Sequence, residues 1–73
     1  RWCVQVGAFS SQENATNYAN TLRSQLNQPV SVRVDGNLFR VTIGEFESQD
    51  EATIQALTLG ENLGKKLVPL QIP

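Results

Sequence analysis

The sequence predicts an α+β domain of ferredoxin-like order, β-α-β-β-α-β: a four-stranded antiparallel sheet with two helices on one face. Three observations predict it. Residues 4–22, VQVGAFSSQENATNYANTL, realign without gaps on residues 41–59, VTIGEFESQDEATIQALTL, at an offset of 37 residues. Each copy passes from period-two alternation to helical periodicity, which reads as a strand followed by a helix. Between the copies, Asp35-Gly36-Asn37 carries a hairpin signal, because Gly and Asn accept the positive φ of tight turns.

The repeat is strong enough to be structural. Identical pairs are Val4/Val41, Gly7/Gly44, Phe9/Phe46, Ser11/Ser48, Gln12/Gln49, Ala15/Ala52, Thr16/Thr53, Ala19/Ala56, Thr21/Thr58 and Leu22/Leu59. The first strand of each copy alternates, Val4 and Val6 around Gln5, Val41 and Ile43 around Thr42. A Gly then lets the chain turn away. Ser11 and Ser48 are the expected helix N-caps, with capping boxes at Ser48-x-x-Glu51 and the overlapping Ser10-x-x-Glu13.

In the first helix Ala15, Tyr18, Ala19, Leu22 and Leu26 recur at spacings of three and four, as Ala52, Ala56, Leu59 and Leu63 do in the second. The small Ala positions let each helix lie close to the sheet. Pro29 ends the first helix and Gly64 caps the second. A further strand closes each half: Val30, Val32 and Val34 alternate with Ser31, Arg33 and Asp35, and Val68, Leu70 and Ile72 with Pro69 and Gln71. Pro69 marks the last strand as an edge. The two repeated strands lie at the centre, and right-handed crossovers put both helices on one side.

Strand parity then divides the side chains. Val4, Val6, Val32, Phe39, Val41 and Ile43 face the helices. Gln5, Ser31, Arg33, Leu38, Arg40, Thr42 and Gln71 fall on the uncovered face. Trp2 shares the parity of Val4 and is expected in the core, with Phe9, Phe46 and Tyr18.

Composition narrows the function. A chain of 73 residues holds one domain, residues 1–73, and its abrupt start on Arg1-Trp2 suggests a piece of a longer protein. A hydrophobic share of 40% is that of a globular protein, and no apolar run approaches the ~18 residues of a membrane span. Net charge is -1, without the basic excess of a nucleic-acid binder. With no His, a histidine triad or His-ligated metal is excluded, and the single Cys3 has no partner for an internal disulfide. Glu45, Glu47, Asp50 and Glu51 cluster after the second repeated strand and suggest a glycosidase pair, but two of them sit where a helix N-terminus welcomes negative charge, which is the favoured reading. No catalytic residue, metal ligand or cofactor site emerges. Binding by the open face is the better reading: Gln5 offers donors and an acceptor to hydroxyls and acetamides, and Arg40 a planar fork for a carboxylate.

These residues carry a resemblance. The run Trp2 with Val4 to Phe9, and the run Phe39 to Phe46, resemble the two signatures of the SPOR domain, over nearly all of the chain. The resemblance implies a non-catalytic module for the glycan strands of bacterial peptidoglycan. It implies strands denuded of their stem peptides, a place in the cell envelope enriched at the division septum, and a parent cell-division or cell-wall protein. The glycan is expected across the sheet face opposite the helices. Gln5 is the central contact, Arg40 meets the muramic lactyl carboxylate, and Arg33, Thr42, Ser31 and Gln71 lie beside them. Gly7-Ala8 and Ser10 form the rim, and Leu38 stands where some relatives expose an aromatic ring. The domain is expected to act as a monomer, without nucleic acid and without touching a membrane itself. Two other readings share the topology. An RNA-recognition module would need stacking aromatics where Gln5 and Thr42 stand. A regulatory or oligomerising domain, binding a small ligand or a protein partner, would form a defined dimer and ignore sacculi.

Overall fold

A computed structural model describes residues 1–72. The elements follow the expected order: β1 (Trp2–Phe9), α1 (Gln12–Leu26), β2 (Val30–Asp35), β3 (Leu38–Phe46), α2 (Gln49–Leu63) and β4 (Val68–Gln71). They build one antiparallel sheet in the order β2-β3-β1-β4, with the repeated strands β1 and β3 paired at its centre. Both helices pack on one face. Val4, Val6, Val30, Val41 and Ile43 of the sheet meet Ala15, Ala19, Leu22, Ala56 and Leu59 of the helices, and Phe9, Tyr18, Phe39 and Phe46 pack at the margin of that cluster. No helix among the described residues is long and apolar enough to cross a membrane.

The helix ends follow from local chemistry. Asn14 N–H donates to Ser11 Oγ and Glu51 N–H donates to Ser48 Oγ, so each helix is capped by the repeated Ser. Ser48 also donates to Glu51 Oε1, at 3.5 Å. The expected Ser10 box is not used, because Ser11 is the residue whose hydroxyl reaches the first turn. Helix α1 ends on Asn27 in the left-handed region, two residues before Pro29, and α2 on Gly64. The β2–β3 hairpin has positive φ at Gly36 but not at Asn37, the pattern of a turn whose first central residue is Gly.

Two bulges interrupt the β1–β3 ladder. Gln5 pairs with Thr42 and Gly7 with Val41, which leaves an extra residue on β1; Val4 pairs with Ile43 and Trp2 with Phe46, which leaves one on β3. Each bulge flips the parity beyond it. Counted from Gln5, Phe9 would otherwise face away from the helices; the bulge returns it to the core and turns Ala8 outward, opposite Arg40. Trp2 takes the Val4 side of β1 as expected, yet it is half-buried and lies outside the central cluster. It stands beyond the second bulge, at the end of the strand.

Candidate functional site: the open face of the sheet

The face without helices is a curled groove. Its boundary runs through Arg33, Val34, Asp35 and Arg40 on one side and Leu70, Gln71 and Ile72 on the other, around about 270 Å³. These two groups come from opposite halves of the sheet, so strand twist has drawn the edges together over the middle.

Register fixes which side chains the groove receives. Gln5 pairs with Thr42, Ser31 with Thr42 from the other side, Arg33 with Arg40, and Asp35 with Leu38. Directly paired residues share a face, so all of these lie on the open side. On β4, Val68 pairs with Gln5 and Leu70 with Cys3, and they too are on the open side. Gln71 pairs with Trp2 and falls on the helix-side parity. Its parity differs from the one expected, although Gln71 still borders the groove. On this edge strand the apolar alternation faces the groove, and Pro69 and Gln71 take the other parity.

Arg40 is the centre of the polar half. Its Nε donates to Asp35 Oδ2 at 2.8 Å and its terminal NH1 donates to Gln5 Oε1 at 3.0 Å. The side chain is 26% exposed, so the guanidinium is held from two sides but stays reachable. Gln5 keeps its amide N–H pair for a ligand, since the bond to Arg40 occupies its oxygen. Arg33 extends the other way along β2. Its NH2 stands 3.8 Å from Glu45 Oε1, while Arg1 NH1 donates to Glu45 Oε2 at 2.9 Å. The path from Arg33 to Glu45 crosses the Ser31–Thr42 row.

Thr42, expected as a direct polar contact, is on the open face but only 1% exposed. It is part of the floor, and a ligand cannot reach it without moving its neighbours. Ser31, Ala8 and Ser10 are exposed, and Leu38 is at 38%. Ser31 borders a second, shallower depression with Pro29, Gly44 and Glu45, away from Arg40. The expected residues therefore divide. Gln5 and Arg40 are bonded to each other, with Arg33 and Ala8 the cross-strand partners of Arg40; Leu38 and Ser31 flank them; Gln71 has the opposite parity but borders the groove.

Sequence reasoning missed the apolar wall. Leu70 and Ile72 line the groove, and Cys3, the cross-strand partner of Leu70, is completely buried although it faces away from the helices. The repeat held the signal. Adding 37 to Ser31, Arg33 and Asp35 gives Val68, Leu70 and Ile72, so residues equivalent to the polar side of β2 must share its face. Asp35 was missed as well, because its partner Arg40 lies across a turn. Among the described residues no group of His, Cys, Asp and Glu is placed to hold a metal ion.

Residues 1–66 match the model of the family described as SPOR domain. No curated protein sequence matches the chain. Among solved structures it is similar to the peptidoglycan binding domain of the B. subtilis cell wall lytic enzyme CwlC, at 28% identity and a TM-score of 0.75, over 99% of this chain and 89% of that one. It is also similar to the RlpA SPOR domain from Pseudomonas aeruginosa, at 24% identity and a TM-score of 0.66, over 99% and 100% of the two chains. A protein of Burkholderia pseudomallei designated as exported shares the fold at 20% identity and a TM-score of 0.74; the match covers 94% of this chain and 15% of that one.

Proposed function

The chain belongs to the SPOR domain family, and from that membership we propose that it binds the glycan strands of peptidoglycan in the groove of its open sheet face. The observation that carries the reading is the pairing of unlike walls around one fixed guanidinium. Arg40, held by Gln5 and Asp35, faces the same groove as Leu70 and Ile72. A pyranose chain is amphipathic in the same sense, with apolar ring faces and polar edges. Leu70 and Ile72 pack against the rings, Gln5 donates to hydroxyl or acetamide oxygens, and Arg40 meets a carboxylate. That carboxylate exists on muramic residues once the stem peptide is removed, so denuded strands are the preferred ligand. The 28% identical CwlC domain, a peptidoglycan binding domain, supports the same reading.

No chemistry is asked of the domain. It holds a parent protein on the wall, in the bacterial cell envelope, and concentrates it wherever amidases have stripped the glycan, as at a division septum. It acts as a monomer, because one sheet supplies the whole groove.

Co-sedimentation with purified sacculi tests this. Binding should increase after amidase removal of stem peptides. Equal binding before and after would refute the preference for denuded strands, and no binding to either would refute the glycan reading.

A further inference from the structure

Arg33 and Arg40 are direct cross-strand partners on the open face, and like charges placed so are unfavourable. Each turns to a different carboxylate, Arg40 to Asp35 in the groove at 2.8 Å and Arg33 toward Glu45 of the second depression at 3.8 Å. Arg33 Nε is buried and has no acceptor among the described residues. Two cations lining one groove describe a seat for an anion, and part of that seat is taken by a residue of the protein itself.

We propose that Asp35 is a built-in stand-in for the ligand's carboxylate, and that binding displaces it. The inference rests on the peptidoglycan reading and identifies how denuded strands are selected. The muramic lactyl carboxylate takes over the Nε side of Arg40, while Asp35 turns to solvent. A neutral sugar, or a lactyl group still in amide linkage to its peptide, has no charge with which to compete. Asp35 can leave readily: it ends β2 beside the hairpin and its side chain is 64% exposed, so its ion pair is a weak one. Arg40 does not lose its aim when Asp35 leaves, because Gln5 holds NH1 from the other side. Asp35 therefore competes with the ligand more than it positions Arg40. Its negative charge also lies well within one Debye length, ~8 Å, of any anion on Arg40.

The test is Asp35→Asn, compared with the unaltered domain by calorimetric titration against two probes. One is amidase-stripped glycan oligosaccharide; the other is the same material with its lactyl carboxylates amidated. Asp35→Asn should bind the carboxylate form about two- to fivefold more tightly, the size of a lost surface ion pair, and the amidated form with unchanged affinity. Glu45→Gln, which leaves the Arg40 pairing intact, should not reproduce the gain. Unchanged or weaker binding of the carboxylate form by Asp35→Asn overturns the proposal, as does an equal gain with the amidated probe or with Glu45→Gln. These failures leave peptidoglycan binding standing; an unaltered domain that binds neither probe overturns the glycan reading and the competition with it. Thermal unfolding of the variants confirms that the fold is intact.

Discussion

Arg40→Lys separates charge from geometry in the groove. Lysine keeps the positive charge but replaces a planar fork with a single ammonium. In the native domain the fork reaches two acceptors on different sides, Asp35 Oδ2 at 2.8 Å and Gln5 Oε1 at 3.0 Å. An ammonium cannot satisfy both and also present a paired N–H edge to a ligand. The cost to folding is small, because Asp35 is exposed and the groove is open to water that solvates what is left unpaired. About 0.5–1 kcal/mol is expected, a shift of roughly 2–8 °C in a domain of this size. The cost to binding is larger. Hydrogen bonds to charged groups contribute ~1.5–3 kcal/mol, so losing one of the pair to a carboxylate weakens affinity about 10- to 100-fold. Calorimetric titration with amidase-stripped glycan, beside thermal unfolding, reads both quantities. Affinity within about twofold of the native domain would remove Arg40 from the site. A loss of binding matched by a collapse of stability would make its role structural.

Three further perturbations test other parts of the structure. Gln5→Ala should weaken glycan binding about tenfold and shift unfolding by less than ~1 kcal/mol, since its amide faces an open groove; equal loss of fold and binding in the same assays refutes this. Leu70→Ala should expose Cys3, so a thiol reagent should label the native variant at least ~10-fold faster than the parent, in line with control of thiol chemistry by access; an unchanged rate would contradict the pairing that puts both residues on the open face. Gly60→Ala would place a Cβ 2.5 Å from the Lys65 carbonyl oxygen, which belongs to the backbone and cannot rotate aside. Although Ala is the better helix former by ~1 kcal/mol, the substitution should destabilise by ~1–3 kcal/mol in denaturant unfolding, the range for overpacking. A gain in stability would show that the segment after α2 moves freely.

The fold was legible because its determinants are local and appear twice. The Ser caps, the Ala-and-Leu helix stripes and the Val-rich alternation of β1 and β3 each state an element within a few residues, and the structure places Leu22 and Leu59 as equivalents in one core. The site was legible where a polar residue interrupts an apolar strand, as Gln5 does between Val4 and Val6. It was not legible where two bulges changed parity, because a bulge is set by pairing across strands and leaves only a Gly as its trace. Nor was it legible on β4. There apolar residues read as core by default, while their register with Gln5 and Cys3 turns them to the groove. Thr42 shows the remaining limit. Parity assigned its face, but its burial depends on side chains that come from elsewhere in the chain.

The repeat also explains why the groove has two unlike halves. Gln5 and Thr42 are equivalent in the repeat and are paired directly, so the pseudo-twofold axis passes between them. About that axis Arg33 corresponds to Leu70, Asp35 to Ile72, Ser31 to Val68, and Arg40 to Cys3. Apart from the Gln5/Thr42 pair on the axis, every polar groove residue on the β2–β3 side thus has an apolar or buried counterpart on the β1–β4 side. The identities between the copies lie at the positions that build strands, caps and helix stripes; the open face contains none of these pairs. The framework has been held twofold and the binding surface has been made asymmetric. A symmetric groove would accept a strand equally well in either direction. In this groove the charged end, where Arg40 and Arg33 are cross-strand partners, and the apolar end, where Leu70 pairs with Cys3, are not interchangeable. A polymer whose two directions differ, as a glycan's do, will therefore be bound in one orientation in preference to the other. On the proposed binding mode, the preferred direction is the one that brings a lactyl carboxylate over Arg40 while a ring face lies on Leu70.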